Sequence, residues 1–283
     1  ADHSPRGEVW RAGVAAANRA NLTGRFVTFV GFEWSDGVHG HRNAYYRDDD
    51  GPENPKDLAD NMGSWWALLK KEGIRALTVP HHPNTDSGVK LANGRLVWGP
   101  VDWSETNDTY QRIVEICQSR GSFEVPGGPN PELRVAAKDR GASVQTALAK
   151  GYRLGFIGST DTHSGRPGTG PARCAIISGD FSRGGLWDAL DARSCYATTG
   201  AHLLISFALN GRPMGSELKL EGSAPKRQIT WRVAGTGPLK RVDLLRSNTV
   251  VRSWTELDAP LRAAVLALVR AAGGHAKRGA REV

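Results

Sequence analysis

Glu33 closes an apolar run (FVTFVGFE, 26–33), and His81 and His82 close a second (IRALTVPH, from 74). Glu115 lies near the end of a third (RIVEI, 112–116), and Asp161 and His163 directly follow a fourth (RLGFIGS, 153–159). Carboxylate and imidazole without thiolate form a donor set suited to Zn, Mn or Fe rather than to a structural zinc knot. Asp161 and His163 stand two apart in an extended segment (STDTHS), so both side chains point the same way. His39 and His41 repeat that spacing in HGHRN, ahead of a short aromatic strand ending at Tyr45 and Tyr46. Taken singly, a strand-end carboxylate is more often a surface cap, and a histidine more often a hydrogen-bonding partner. Only the joint pattern over several strand ends points to one metal centre. His202 and His275 lie outside it and read as structural or exposed. Gln118, Ser119 and Arg120 follow the third run and could line the mouth of such a site.

Positioning these residues requires strands whose carboxyl ends share one rim, as in barrels and open α/β sheets. From Arg25 to Gly200 short apolar runs alternate with helix-compatible stretches, a rhythm that predicts βα units and a largely parallel sheet. Pro55–Lys71, Ala142–Lys150 and Trp187–Ala192 read as helices, the first two followed by Gly73 and Gly151. After Gly200 the pattern shifts to strands at 203–209, 228–234 and 240–245, with a hairpin signal at Asn210-Gly211. Residues 200–256 therefore read as a small antiparallel β appendage. The segment from Pro260 is rich in Ala and Arg and compatible with a helix through Ala271.

Composition narrows the function classes. The chain has 283 residues, room for one or two domains, with 39% hydrophobic residues and 34 glycines. That is ordinary for a globular protein and excludes disorder, collagen and coiled coil. No apolar run is long enough to span a membrane, and Cys117, Cys174 and Cys195 form no C-x-x-C pair. Half of the net charge of +8 lies in residues 260–283, where Arg262, Arg270, Lys277, Arg278 and Arg281 face Glu282 alone. The remainder shows no basic stripe interleaved with aromatics, which argues against nucleic acid as a partner. Oligomeric state is not legible. The chain opens at Ala1 with neither methionine nor an apolar leader, so localisation is unknown and the start reads as non-native.

In order along the chain, Asp2-His3, the G-x-E of Gly31 to Glu33, the strand-end His81, Val114 to Ile116 and GSTDTH (158–163) resemble motifs of the PHP (polymerase and histidinol phosphatase) superfamily. The match is closer to the family known as domain of unknown function 3604, with GFEW, GHRN, a P-H strand end, DTHSGRPG (161–168), CYATTG (195–200) and NGRPMG. The resemblance covers about residues 1 to 220 and implies a distorted (β/α)7 barrel that holds two or three metal ions and hydrolyses phosphoesters. By this resemblance Glu33 is shared between two metals, with His41 and His81 completing the second site. Asp161 belongs to the first metal and is part of the catalytic apparatus, while His3 and His163 belong to the third. Glu115 matches a position that supports the ligands, and Asp2, His39 and His82 are accessory positions. Arg166, three residues after His163, could grip an ester oxygen.

The departures are informative too. The superfamily's opening strand carries H-x-H, ligands of the first metal, whereas this chain opens on the second motif. The expectation is an N-terminally truncated barrel over residues 1–199, whose second metal site alone is whole and which hydrolyses poorly. A tail at 257–283 departs from the family's strand-like ending. The expected substrate is a small anionic ester. Two competing readings are a sulfate ester or phosphotriester hydrolase on the same site, and a noncatalytic metal-containing fragment that binds carbohydrate or protein. In the latter, Trp34, Trp98 and Trp103 would form a platform.

Overall fold

A computed structural model describes residues 3, 5–35, 38–55, 61–94, 96–126, 141–165, 168–222 and 226–257. In chain order, helix α1 (Gly7–Ala20) precedes strands β1 (Val30–Trp34) and β2 (Arg42–Tyr46), then helix α2 (Met62–Lys71) and strand β3 (Ala76–Pro80). Strands β4 (Ile113–Gln118) and β5 (Gly121–Ser122) follow, then helix α3 (Val144–Ala149), strands β6 (Gly155–Gly158) and β7 (Arg173–Ile176), helix α4 (Arg183–Asp191) and strand β8 (Cys195–Thr198). The chain continues through β9 (Leu204–Leu209), β10 (Arg212–Pro213), β11 (Ile229–Ala234), β12 (Leu239–Arg246) and β13 (Thr249–Leu257).

The expected (β/α)7 barrel is not what forms. Among the described residues the strands make separate small sheets and no closed barrel: β1-β2-β3, β5-β4-β6, β7-β8, β10-β9-β11 and β12-β13. The apolar runs do become strands, but β2 inserts between β1 and β3 and pairs antiparallel with both. The connection from Trp34 to Arg42 is too short to hold a crossover helix, so β1 and β2 can pair only as antiparallel neighbours. Of the largely parallel sheet expected, the strands among the described residues keep one parallel pair, β4 and β6, which flank α3.

Alternation along the first sheet fixes its two faces. Val30, Phe32, Trp34, Ala44, Tyr46 and Ala76 pack with Trp10 of α1 and with Met62, Trp65, Trp66 and Leu69 of α2. On the opposite face Tyr45, Leu77 and Val79 join Ile113 of β4, Ile157 of β6, Trp187 and Leu190 of α4, and Cys195 of β8. α2, α3 and α4 start on the side chains of Asn61, Ser143 and Ser182, each accepting a backbone N–H of its helix. α1 starts at Arg6 with no such bond.

In the C-terminal part, Asn210 and Gly211 have φ of 50° and 74° and form the two-residue turn between β9 and β10. Ser247 and Asn248, with φ of 50° and 61°, do the same between β12 and β13. The part from β9 onward is tied back by Tyr196 Oη, which donates to the Leu203 carbonyl at 2.7 Å, and by Glu217, which pairs with Arg153 and Arg193. The expected helix from Pro260 and the 257–283 tail lie, but for Leu257, outside the described residues.

Candidate metal centre

The parity of the strands brings the site together. Glu33 shares a face of β1 with Gly31, and its register partner is Asn43 of β2. His41 immediately precedes β2 and His81 immediately follows β3; Arg42 pairs with Pro80, and His81 N donates to the His41 carbonyl at 3.3 Å. Residues 31 and 33, 41 to 45, and 77 to 81 at odd positions therefore project to one side. Glu33, His41 and His81 meet there at one edge of the sheet.

Gly40 makes the turn into His41, at φ 77°. A Cβ there would lie 2.7 Å from Val101 Cα, so only glycine lets the loop approach so closely.

Glu33, His41, His81 and His82 are all buried, and one ligand atom from each lies within 4.8 Å of the others. His41 Nδ1 is 2.6 Å from Glu33 Oε1, and His81 Nε2 is 3.1 Å from the same oxygen without the alignment of a hydrogen bond. Burial acts to raise the Glu33 pKa, but the hydrogen bond of His41 and the close approach of His81 outweigh it and keep the carboxyl ionised. Burial lowers the His41 pKa and pushes that of His82 well down, so both imidazoles favour the neutral form. A neutral His41 donating from Nδ1 to Glu33 keeps a lone pair on Nε2, and among the described residues that nitrogen has no hydrogen-bond partner. Nor has either ring nitrogen of His81. Buried polar atoms without partners cost about 1–3 kcal/mol each. Their convergence on an ionised carboxylate is the arrangement of a group that could hold a metal ion.

The other expected residues surround this core. Glu115, 1% exposed, accepts from His82 N at 2.9 Å, from Gln118 Nε2 at 2.9 Å and from Ser159 Oγ, and its Oε2 lies 3.8 Å from His81 Nδ1. Asp161 Oδ2 is 4.0 Å from His81 Nδ1, accepts from Gln118 Nε2 at 3.2 Å and pairs with Arg120. His3 is on the exposed side, with Nδ1 3.4 Å from Glu33 Oε1 and its ring stacked on His163 at 5.8 Å. His39 stands apart, stacked on Trp34 at 6.2 Å. Asp2 and Arg166 lie outside the described residues.

Two of these residues adopt left-handed backbone without being glycine, His82 at φ 36° and Asp161 at φ 47°. Such strain gathers at functional sites. Sequence reasoning missed Ser159 and Asn84, whose buried side-chain amide has no hydrogen-bond partner among the described residues. The position of Asn84 two residues after His82 was the available signal. Trp98, named in the competing carbohydrate-binding reading, packs its ring 5.0 Å from His82 and 6.1 Å from His41.

The family model "Protein of unknown function (DUF3604)" matches residues 1–137, a span that holds Glu33, His41, His81, His82 and Glu115 and stops before Asp161. An uncharacterized protein of Chlamydia pneumoniae is 35% identical over 170 residues, covering 54% of this chain and 27% of its own length. Uncharacterized proteins of Chlamydia muridarum and Chlamydia trachomatis serovar D are 29% identical over 169 residues and 30% identical over 161. The chain spans about a quarter of the length of these curated relatives. No solved structure matches it. Among the described residues no helix is long and apolar enough to cross a membrane.

Proposed function

We propose that this chain carries a metal-dependent hydrolytic centre for phosphate or related anionic esters, akin to that of the PHP superfamily. The observation that carries the reading is the buried convergence of Glu33, His41, His81 and His82, in which His41 Nε2 and both His81 ring nitrogens have no hydrogen-bond partner among the described residues. Glu33, His41 and His81 would hold the ion, with His82 and Asp161 at its margin. A nitrogen and oxygen donor set suits Zn, Mn or Fe. A bound divalent ion supplies a water that deprotonates near neutral pH and positive charge against ester oxygens.

The protein's own contribution is preorganisation. His41 donates from Nδ1 to Glu33 and thereby fixes its tautomer. Glu115 gathers the His82 amide, the Gln118 amide and the Ser159 hydroxyl, so the loops after β3 and β6 are held to β4. Trp98 lies against His41 and His82 and limits their access to water.

Elemental analysis of the purified chain and of Glu33→Ala tests the metal. The wild type should retain metal and the variant should lose most of it; equal content in both would end the reading. p-Nitrophenyl phosphate, bis(p-nitrophenyl) phosphate, p-nitrophenyl sulfate and p-nitrophenyl acetate, each with Zn, Mn or Fe, test the bond. Turnover of the phosphates supports the proposal. Turnover of the sulfate alone moves it to the competing ester, and metal without turnover of any ester leaves a noncatalytic metal protein.

A further inference from the structure

The geometry points to Arg120 as the cation of an anion subsite beside the metal cluster, one that fits a phosphate monoester in its dianionic form. The inference rests on the hydrolytic reading above and names its substrate class.

Arg120 sits in the two-residue turn between β4 and β5, directly after the strand that carries Glu115. Its Nη1 donates to Gln118 Oε1 at 2.7 Å and pairs with Asp161 Oδ2, whose side chain is 12% exposed, while the arginine side chain itself is 40% exposed. Gln118 is fully buried and also bonds Glu115 and Asp161, so the guanidinium rests on a fixed base rather than reaching freely into water. Asp161 Oδ2 lies 4.0 Å from His81 Nδ1, so the guanidinium paired with that carboxylate stands beside the cluster.

A guanidinium has five N–H donors in a planar fork, and here Nη1 alone is engaged among the described residues. The remaining donors suit two oxygens of one phosphate. Glu33, Glu115 and Asp161 would repel a dianion, and a cation held beside Asp161 offsets that repulsion. A neutral carboxylic ester would need no such group.

The test is isothermal titration of inorganic phosphate into the metal-loaded full chain, into Arg120→Gln and into Arg120→Lys, with metal content measured on the same samples. Arg120→Gln should bind phosphate about tenfold or more weakly at unchanged metal content, and Arg120→Lys, which keeps the charge without the fork, should fall between. Wild-type phosphate affinity in Arg120→Gln overturns the inference. Joint loss of metal and phosphate overturns it too, because Arg120 would then serve only to hold Asp161. Should Arg120→Gln fail to fold, Arg120→Lys decides alone: weaker phosphate with full metal supports the subsite, and unchanged affinity refutes it. A wild type that holds metal but binds no phosphate ends this inference and leaves the metal reading standing. A wild type without metal ends both.

Discussion

Glu115 is a carboxylate kept out of water by the groups it organises. It accepts from a backbone amide, a side-chain amide and a hydroxyl, and each of those donors belongs to a different segment of the site. Its removal would strand the His82 N–H and one N–H of the Gln118 amide in a region that water barely reaches. Hydrogen bonds to a charged group contribute about 1.5–3 kcal/mol each, partly offset here by release of the buried charge. Glu115→Ala should therefore lower the unfolding free energy by about 2–4 kcal/mol, measured by urea unfolding of metal-free protein. Glu115→Gln retains one acceptor oxygen and should cost less. Equal stability of the alanine variant and wild type would show that the carboxylate does not hold the loops. The same arrangement accounts for the backbone of His82. A residue at φ 36° persists only where its surroundings fix it, and the bond from its amide to Glu115 is one such constraint.

At the scale of elements, the site depends on how closely β1 and β2 approach. Gly31 lies opposite Tyr45, and a Cβ at that position would overlap the Ala44 carbonyl oxygen, which is backbone and cannot rotate away. Gly31→Ala should push β1 from β2, at a cost of about 1–3 kcal/mol, and separate Glu33 from His41 and His81. Thermal unfolding should shift down and metal content should fall together; a stable variant with full metal would show that the pairing tolerates the displacement. Much of this was legible in the sequence. The runs ending at Glu33 and His81 became β1 and β3, while the register through β2 put their carboxylate and imidazole on one face. The pairing was not legible. An apolar run states that a strand is buried but not which neighbour it bonds, and the five residues of β2 entered between two strands that the βα rhythm would have made adjacent. Strand ends shifted for a related reason: Phe26 opens the first run yet is 54% exposed, and β1 begins only at Val30. α1 was not read from the sequence: it has no capping side chain to mark its start, although Trp10, Val14 and Ala17 form the stripe that packs on the first sheet.

For the molecule as a whole, the question is what joins the first sheet to the elements packed on it. Arg47, next after β2, makes a forked pair with Asp188 of α4 at 2.8 and 2.9 Å, and Arg75, just before β3, reaches the same carboxylate at 2.8 Å. Arg75 also lies over the Trp187 ring at 4.7 Å. The hydrogen bond from Arg47 lowers the Asp188 pKa, burial opposes this, and the charges of Arg47 and Arg75 add to the lowering. A carboxyl whose folded pKa is depressed stabilises the fold above its unfolded pKa, near 4, and loses that contribution as pH falls through the folded value. Asp188 is 45% exposed, so solvent and salt screen the pair and its contribution at neutral pH should be only about 0.5–1 kcal/mol. Asp188→Asn should be less stable than wild type by that amount at pH 7 and low salt, and the gap should close as pH drops below 4. Chemical unfolding of both proteins between pH 7 and pH 2 measures this. A gap independent of pH would mean that the asparagine variant loses packing of α4 on the sheet rather than charge, and that the apolar contacts of Trp187 and Leu190 carry the junction.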